Sequence, residues 1–571
     1  MYILGISCFY HDGAAVIIKD GVVIAAAEEE RFSRIKHDSS FPGRAIAFCL
    51  EKAKISQRDI AYVVFYEKPL LKFERIFRSS LENIPHSFQF FNSSMKEWFF
   101  DKLWIKSTIM QKLDIQTSKL LFCEHHLSHA ASAFYSSPYR KAALLTLDAV
   151  GEWTTTAWGV GNDTSIDLKE EIKFPDSLGL LYSVFTVFTG FEPNEGEYKM
   201  MGLAPYGKPR YKEKIYELLE MKSDGSYRLK QEFLSYPYSL NKIYTSKFES
   251  IFGKPNNAPD KVTIYYADIA ASIQQVTEEI LIRIVNHLHK QTKLDYLCYA
   301  GGVALNSSAN WKIRTSSKFK GIYIQPAAGD SGGALGAALW AYHSVLGRKR
   351  KFTMEHAYLG AEENTNQIKE FLVNNNINFR YIANEDGLVD EVSNHLASGK
   401  VIGWVQNRFE WGPRALGNRS ILADPRSKKM KNKVNSKIKF REAFRPFAPS
   451  VAYEDAVKFF EIKGYEKDLP LQYMLYVVPV KKNVQKLLQA VTHQDGTARP
   501  QLVKKETNPR YYKLIKAFGE KTGLPVVLNT SFNLKGEPIV NTSKEAYSTF
   551  MRSGLDILVL DKFIIDKRSK K

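Results

Sequence analysis

Cysteine is scarce in this chain, with four residues among 571. Cys8, Cys49, Cys123 and Cys298 are far apart, and no Cys-x-x-C pair occurs. This spacing argues against a disulfide framework. Cys8 and Cys298 lie in apolar, strand-like runs, where we expect buried and chemically inert thiols.

Long apolar segments are also missing. The most apolar later stretch, residues 332–345, is too short to cross a bilayer and contains His343. The amino-terminal end enters a strand-like segment, residues 2–6, without the basic region and long apolar stretch of a secretory signal. We therefore expect a cytoplasmic protein without a membrane partner.

Positive charge predominates. The net charge is +19, although 44% hydrophobic and 25% charged residues are typical of globular proteins. A basic excess is compatible with nucleic acid, an anionic membrane surface or anionic small substrates. Part of it lies in the tail, residues 566–571, and residues 408–445 hold twelve Lys or Arg against three acids. The Gly-Pro-Arg and Phe-Arg-Pro sequences in this second stretch would interrupt a helix. They therefore argue against a basic helix lying along nucleic acid and favour a phosphate-handling surface.

Short apolar runs alternate with helical patterns, which indicates an α/β protein. The chain is too long for one core, and a basic linker at residues 346–351 predicts two domains, 1–347 and 354–571. Lys19-Asp20-Gly21 joins two apolar runs and predicts a β-hairpin. In the first domain, the predicted strands are residues 2–8, 14–18, 22–27, 59–66, 142–147, 294–299 and 321–324, and the predicted helices are 268–290 and 332–342. In the second, the predicted strands are residues 401–405, 473–480, 525–528 and 556–560.

Two histidines and two acids form a candidate metal site. His125 and His129 are four residues apart, which places both imidazoles on one face of a helix. Asp148 and Asp330 each follow a predicted strand, where α/β folds bind ligands. Such a mixed N/O set suits Fe, Mn or Zn better than Ca or Mg. Histidines in capping or surface roles, a solvated turn acid at Asp148 and a helix cap at Asp330 fit the same pattern.

Three glycine-containing turns are candidates for contact with phosphates: residues 5–15, 148–156 and 299–306. The third leads from a strand into a helix, whose free backbone N–H groups favour anions. A single turn of this kind usually serves only the backbone. Their order, however, matches the nucleotide cradle of the actin, hexokinase and heat-shock-chaperone superfold, and the chain contains no Walker A motif or kinase loop set.

Longer motifs resemble a known family. The chain is similar to the NodU/CmcH family of O-carbamoyltransferases over nearly its whole length and in the family's order. In the first domain the similar segments are residues 3–6, 11–15, 28–37, 125–129, 148–153, 196–207 and 301–306. In the second they are residues 411–420, 439–449 and 528–533.

The resemblance implies an actin/hexokinase-like domain fused to a YrdC-like α/β domain. The second domain would take carbamoyl phosphate, release phosphate and join the carbamate to ATP as carbamoyl-adenylate. The first would transfer the carbamoyl group to a hydroxyl of a small molecule in secondary metabolism, beside a metal, most simply Fe²⁺, with Mg²⁺ as a further candidate. The implied metal ligands are His125, His129, Asp148 and Asp330. The anion-binding positions are Arg414, Lys439, Arg445, Arg499 and Asn529, and the nucleotide-binding positions are Gly151, Lys199, Gly301, Gly302 and Asn306.

Residues of the first loop are candidates for the acid–base step. We expect His11 or Asp12 to orient or deprotonate the acceptor hydroxyl, because both lie in the loop that faces the predicted cradle. The alternative is that His11 only caps its turn. The role of Lys199 in nucleotide binding is also open, since an ordinary surface lysine fits the same position.

Two other functions fit parts of the sequence. One is carbamoylation of an RNA-bound threonyl group, against which stand the fused second domain and the lack of a recognisable RNA-binding module. The other is an actin-like ATP-binding scaffold, which would not need spaced histidines or an anion-binding second domain. We therefore expect carbamoyl phosphate, ATP and a hydroxylated small molecule as partners, no nucleic acid, and leave a homodimer open.

Overall fold

The computed structural model describes residues 1–100, 102–259, 261 and 263–567, so the end of the basic tail lies outside the described residues. The chain divides into two compact units. The first contains Met1–Ile24, Ser39–Pro42 and Cys49–Thr353, and the second contains Ala25–Asp38, Gly43–Phe48 and the chain from Met354 onward. The expected division at residues 347–354 did not include this exchange, in which an amino-terminal segment belongs to the second unit.

The first unit contains two five-stranded sheets with the same strand order. Strand orders are β3-β2-β1-β4-β5 and β8-β7-β6-β11-β12. In each sheet the first two strands pair antiparallel, and two later strands add in parallel on the other side of the first. This repeated arrangement is that of the actin and hexokinase superfold, as predicted. The strands are β1 (Tyr2–Ser7), β2 (Ala14–Lys19), β3 (Val22–Glu28), β4 (Ile60–Phe65), β5 (Leu120–Phe122), β6 (Lys141–Leu147), β7 (Thr154–Asn162), β8 (Ser165–Lys173), the separate hairpin β9 (Leu219–Met221) and β10 (Tyr227–Leu229), β11 (Tyr296–Ala300) and β12 (Gly321–Tyr323).

Thirteen α-helices begin before residue 350 in the described chain; α1 belongs to the second unit, and α2 starts there. They are α1 (Glu30–Ser33), α2 (Gly43–Ala53), α3 (Pro69–Glu82), α4 (Phe88–Phe100), α5 (Ile105–Leu113), α6 (His125–Phe134), α7 (Leu178–Phe188), α8 (Gly196–Leu203), α9 (Lys212–Tyr216), α10 (Ser246–Phe252), α11 (Ile264–Thr292), α12 (Ser307–Ser316) and α13 (Ser331–Trp340).

Helix α13 packs closely on α6 and β1 because small residues line its contacts. A Cβ atom at Gly336 would lie 1.7 Å from the carbonyl oxygen of Ser128, and one at Gly5 would lie 1.9 Å from that of Ala334. Only glycine allows backbones to approach this closely. The packing brings the start of α13 against the face of α6.

The second unit is built on one mixed eight-stranded sheet, in the order β13-β22-β21-β14-β15-β20-β16-β19. Helices α15 and α18 cover a buried core that includes Trp404, Tyr511 and Phe518. The strands are β13 (Arg380–Tyr381), β14 (Ile402–Val405), β15 (Arg419–Ala423), β16 (Ala448–Ala452), the separate pair β17 (Val478–Pro479) and β18 (Thr497–Ala498), β19 (Gln501–Val503), β20 (Val526–Ser531), β21 (Ile557–Leu560) and β22 (Phe563–Asp566). The helices are α14 (Thr365–Asn374), α15 (Glu385–Ala397), α16 (Lys428–Val434), α17 (Ala456–Phe459), α18 (Pro509–Thr522) and α19 (Ser543–Arg552).

Most predicted elements are confirmed within a few residues, but one is wrong. The expected strand 473–480 forms only at Val478–Pro479. Met474 adopts a φ of 57°, which turns the chain, and the buried Tyr473 hydroxyl donates to the carbonyl of Met354. The apolar run therefore fills the core as irregular backbone.

Two further features bear on the sequence predictions. All four cysteines are buried and carry free thiols. Among the described residues, none of the helices combines the length with the hydropathy that a bilayer crossing requires.

Candidate functional site

The four predicted metal-binding residues converge in the first unit. His125 and His129 lie on α6, Asp148 follows β6 directly, and Asp330 immediately precedes α13. All four side chains are buried, and one donor atom from each lies within 4.8 Å of the other three. Residues far apart in sequence thus meet because α6 and α13 pack face to face beside β6.

The distances among these donor atoms are short. Oδ2 of Asp148 lies 3.0 Å from Nε2 of His125 and 3.1 Å from Nε2 of His129. Oδ1 of Asp330 lies 3.7 Å and 3.5 Å from the same two nitrogens. Four ligands about 2.1 Å from one ion in a tetrahedron are roughly 3.4 Å apart. The cluster therefore has the dimensions of a four-ligand shell.

The electrostatics of the cluster favour a cation. Burial lowers the pKa of His129, but its hydrogen bond to Asp148 and the negative charges of Asp148 and Asp330 outweigh this effect and raise that pKa to about 9. Burial raises the pKa of Asp148, yet the two imidazoles hold it well below its usual range. Neither carboxylate oxygen of Asp330 has a hydrogen-bond partner among the described residues. Buried, unsatisfied carboxylate oxygens beside imidazole nitrogens are a donor set that fits Fe, Mn or Zn.

His11 and Asp12 lie at the edge of this cluster. Nε2 of His11 is 3.6 Å from Oδ2 of Asp330, and its Nδ1 is 3.0 Å from Oδ2 of Asp12. Both side chains are half-buried. Burial lowers the pKa of His11, but the negative charges of Asp330 and Asp12 dominate and raise it to about 10. The first loop therefore places a proton-carrying imidazole next to the donor set.

The predicted nucleotide-binding glycines surround the same cluster. A Cβ at Gly151 would lie 2.9 Å from the ring of His125, and one at Gly302 would lie 2.8 Å from Oδ1 of Asp148. Gly301 has a φ of 97°, and a Cβ there would meet the carbonyl of Leu147. The backbone N–H of Gly302 donates to Oδ1 of Asp148 at 3.2 Å. These turns hold the metal-site residues in place as well as facing the predicted cradle.

Asn306 and Lys199 lie on nearby elements. The Asn306 amide pairs with Gln274 of α11 and caps α12 by accepting from the N–H of Ala309. Its side chain thus already has a structural role. Lys199 is half-buried on α8, and Met201 of the same helix accepts a hydrogen bond from Ser307 at the start of α12.

A second charged cluster belongs to the second unit. Lys439 ends a π-helical turn, Asn435–Lys439, and is buried. Its Nζ donates to backbone and side-chain oxygens of Ser531 and Asn533 at 2.6–3.2 Å. Burial lowers its pKa, and Arg445 is among the nearby positive charges that lower it further.

The other predicted anion-binding residues adjoin this lysine to different degrees. The amide of Asn529 donates to the carbonyl of Ala415, next to Arg414, and to Gln501 and Ser450. Asn529 and Ser531 are two residues apart on β20, so their side chains share one face of the sheet. Arg499 follows β18 and is close enough to Arg441 to lower its pKa.

Sequence reasoning missed three residues of this basic cluster. Arg441 is half-buried beside Arg445 and Arg499, and desolvation together with these neighbours lowers its pKa. Lys36, from the amino-terminal segment of the second unit, contributes positive charge at Lys439. Burial lowers the pKa of His493 to about 4, with Arg499 and Lys431 lowering it and Asp495 opposing them. Lys36 and Arg441 lie inside segments that resemble the family, residues 28–37 and 439–449, and this resemblance was the available signal for both.

Family models built from known proteins match the two segments of the chain that contain the two clusters. A family model for the carbamoyltransferase N-terminus matches residues 2–339, and one for the carbamoyltransferase C-terminus matches residues 393–567. The chain belongs to the carbamoyltransferase family. Each matched segment of this carbamoyltransferase holds one cluster almost entirely, with Lys36 as the exception.

Relatives extend along the whole chain. Nodulation protein NolNO of Sinorhizobium fredii is 38% identical over 98% of this chain and 80% of its own length. An uncharacterized Synechocystis protein, sll1178, is 45% identical over 100% of this chain and 97% of its own length. The 3'-hydroxymethylcephem-O-carbamoyltransferase of Amycolatopsis lactamdurans is 36% identical over 43% of this chain and 44% of its own. These relatives confirm the predicted NodU/CmcH-type resemblance, and the family supports a transferase that carbamoylates hydroxyl groups.

Proposed function

We propose that the chain is a cytoplasmic O-carbamoyltransferase that uses carbamoyl phosphate and ATP to carbamoylate a hydroxyl of a small molecule in secondary metabolism. The second unit would release phosphate from carbamoyl phosphate and join the resulting carbamate to the α-phosphate of ATP, with loss of pyrophosphate. The first unit would transfer the carbamoyl group from this adenylate to the acceptor oxygen, with AMP as the leaving group. The convergence of His125, His129, Asp148 and Asp330 beside glycine turns is the observation that carries the proposal.

The second unit suits the first half of this chemistry. Lys439, Arg441, Arg445 and Arg499 concentrate positive charge in one region, with Glu442 as a nearby acid. Two unit charges 4 Å apart repel by about 4 kcal/mol at an effective dielectric of 20. Positive side chains offset this repulsion when carbamate approaches ATP. Each arginine can donate two parallel hydrogen bonds to phosphate oxygens, whereas Lys439 supplies a single point charge.

The first unit suits the transfer step. His125, His129, Asp148 and Asp330 would hold a divalent metal, for which Fe²⁺ is our proposal. When bound, the metal supplies Lewis acidity that offsets negative charge on the reacting oxygens. His11 lies 3.6 Å from Asp330 and is hydrogen-bonded to Asp12, so the protonated His11 would orient the acceptor hydroxyl and Asp12 would take its proton. The turn at Gly301 and Gly302, whose own N–H groups donate to Ala328 and Asp148, would pack its backbone against the nucleotide, with Mg²⁺ accompanying ATP when it binds.

The test is incubation of the iron-loaded protein with ATP, carbamoyl phosphate and a panel of hydroxylated metabolites. The expected result is a product heavier by one carbamoyl group, together with AMP, pyrophosphate and phosphate in equal amounts. His11→Ala should still form AMP-linked carbamoyl groups but transfer them slowly, by roughly a hundredfold or more. Lack of phosphate release from carbamoyl phosphate, both with and without ATP, would favour a scaffold, and transfer to RNA alone would favour the threonyl-type reaction.

A further inference from the structure

A wall of polar side chains lies beyond the metal-binding cluster, on helix α3 and the adjacent strand ends of the first unit. Lys72 and Arg75 are three residues apart on one face of α3, and both are buried. Nζ of Lys72 lies 4.4 Å from the ring centre of Tyr10, whose ring is 4.8 Å from that of His11. The α3 face therefore adjoins the loop that touches Asp330.

Arg75 packs against an aromatic ring and makes no hydrogen bond to the residues that the structure describes. Its guanidinium lies 5.0 Å over the ring of Phe174, and its side chain is nine-tenths buried. Nε has no hydrogen-bond partner among the described residues. Phe174 is joined to Trp153 by a backbone hydrogen bond, so Arg75 stands beside the turn that also carries Glu152.

The nearby acids are bonded to other donors. Glu67 pairs with Lys72 at 2.8 Å. Glu152 accepts from the backbone N–H groups of Lys68 and His125 at 2.8 and 3.0 Å. Arg75 is thus a buried cation whose neighbouring carboxylates are engaged elsewhere. Burial lowers the pKa of Arg75, because the charged guanidinium is less stable in this buried position without a bound acceptor.

A second polar group faces the same region. Tyr66 is fully buried, and its hydroxyl has no hydrogen-bond partner among the described residues. Its ring lies 5.4 Å from the ring of His125. Buried hydroxyl and guanidinium groups are nearly always hydrogen-bonded in proteins. The Tyr66 hydroxyl and the Arg75 Nε, both without a partner among the described residues, therefore indicate a bound polar ligand.

The wall adjoins the turns that carry Tyr10 and Glu152, whereas the turn at Gly301 and Gly302 meets the cluster at another atom of Asp148. Oδ1 of Asp148 accepts from the N–H of Gly302, whereas Oδ2 faces His125, whose ring is 5.4 Å from that of Tyr66. Under the proposed function the nucleotide lies against the turn at Gly301 and Gly302. A ligand that meets Arg75 therefore approaches as the acceptor would, with its reacting hydroxyl near His11.

We propose that Arg75, assisted by Lys72, binds an oxyanion on the acceptor, so that the substrate class is hydroxylated small molecules that also carry a carboxylate or a phosphate. This inference rests on the proposed function. The planar fork of arginine matches both kinds of oxyanion and makes paired hydrogen bonds to either. Tyr66 would donate to the same ligand closer to the metal site.

The test measures binding and transfer separately on the full chain. D-glycerate and glycerol 3-phosphate are compared with glycerol, first by calorimetric titration and then as carbamoyl acceptors. The expected result is that both anions bind at least tenfold more tightly than glycerol, and that Arg75→Gln removes most of this preference. Arg75→Lys should restore part of it. Arg78→Gln is the matched control, because Arg78 is exposed on the same helix and pairs with Glu74.

Two results would overturn the assignment: equal binding of the three probes by the wild-type chain, or an undiminished anion preference in a folded Arg75→Gln. Circular dichroism establishes folding, and Arg75→Lys keeps the comparison available should the Gln variant unfold. Failure of the proposed function looks different, because no probe or metabolite would then gain a carbamoyl group although the anion preference of binding remained. In transfer, Arg75→Gln should raise KM for the anionic probes at least tenfold with a smaller effect on kcat.

Discussion

The Nε2 atoms of His125 and His129 lie 3.0 Å apart in the buried interior of the first unit. Two imidazole nitrogens at this distance cannot both carry a proton towards each other, so at least one presents a lone pair. Asp148 approaches both, at 3.0 and 3.1 Å. A divalent ion can bind both imidazole nitrogens and the carboxylate at once. A single proton shared between the two rings, on either nitrogen, leaves one of the three groups without a partner.

Metal binding should therefore stabilise the protein and depend on this pair. Anaerobic Fe²⁺ at about a hundred times its Kd should add about 2.7 kcal/mol to the free energy of unfolding and raise Tm by roughly 5 °C. His129→Gln should abolish most of this shift and the iron found by elemental analysis. His126→Gln is the control, because that buried ring instead bonds to Thr146. Equal iron content in wild type and His129→Gln would refute the metal site.

A methyl group at Gly151 should disturb the metal site more than the fold. The added Cβ would lie 2.9–3.1 Å from two ring atoms and the Cβ of His125, whose side chain must then move. We expect Gly151→Ala to weaken metal binding at least tenfold, measured by competition with a chelator. Gly387→Ala on α15 has only ordinary contacts at 3.6–3.9 Å and should leave metal affinity unchanged. Wild-type metal affinity in Gly151→Ala would show that the ring position is not critical.

The cluster of His125, His129, Asp148 and Asp330 was accessible from sequence because each of its parts has a local signal. Helical spacing places His125 and His129 on one face, and a strand end marks Asp148. The convergence itself depends on the close packing of α6 and α13, which only a structure displays. The basic cluster of the second unit was partly accessible, since Lys439 and Arg445 lie in one motif.

The parts that sequence reasoning missed arise from long-range contacts. Lys36 reaches Lys439 because residues 25–38 belong to the second unit, and no local pattern encodes that exchange. The expected strand at 473–480 failed for a different reason. A buried strand and an irregular segment of the core are both apolar in sequence, so the hydrophobic pattern does not separate them. A methionine side chain also gives no sequence signal for the left-handed backbone conformation that Met474 adopts.

Lys36 should contribute to anion binding although it lies about 400 residues from the other members of the basic cluster in sequence. Removing one positive charge near a bound phosphate costs about 1 kcal/mol in a solvated setting, or roughly a fivefold change in Kd. We expect Lys36→Met to weaken inorganic phosphate binding by that factor, with a smaller effect at high salt. Lys505→Met, an exposed lysine of the same unit, is the control. Equal losses in the two variants would mean that only net charge matters.

His493 should make the stability of the second unit depend on pH. Burial lowers its pKa to about 4 in the folded protein, assisted by Arg499 and Lys431 and opposed by Asp495, against about 6.5 in an unfolded chain. Between these two values the unfolded chain binds the proton and the folded protein does not. The free energy of unfolding should therefore fall as pH decreases from about 6.5 to 4, and no further contribution is lost below that range.

His493→Gln has no such titration, so we compare the urea midpoints of the two proteins across this range. The difference in midpoint, wild type minus variant, should decrease steadily towards pH 4 and stay constant above pH 7. Saturating phosphate should reduce the slope, because an anion beside Arg499 offsets the positive charge that disfavours the imidazolium. A pH-independent difference would show that His493 titrates alike in the folded and unfolded states.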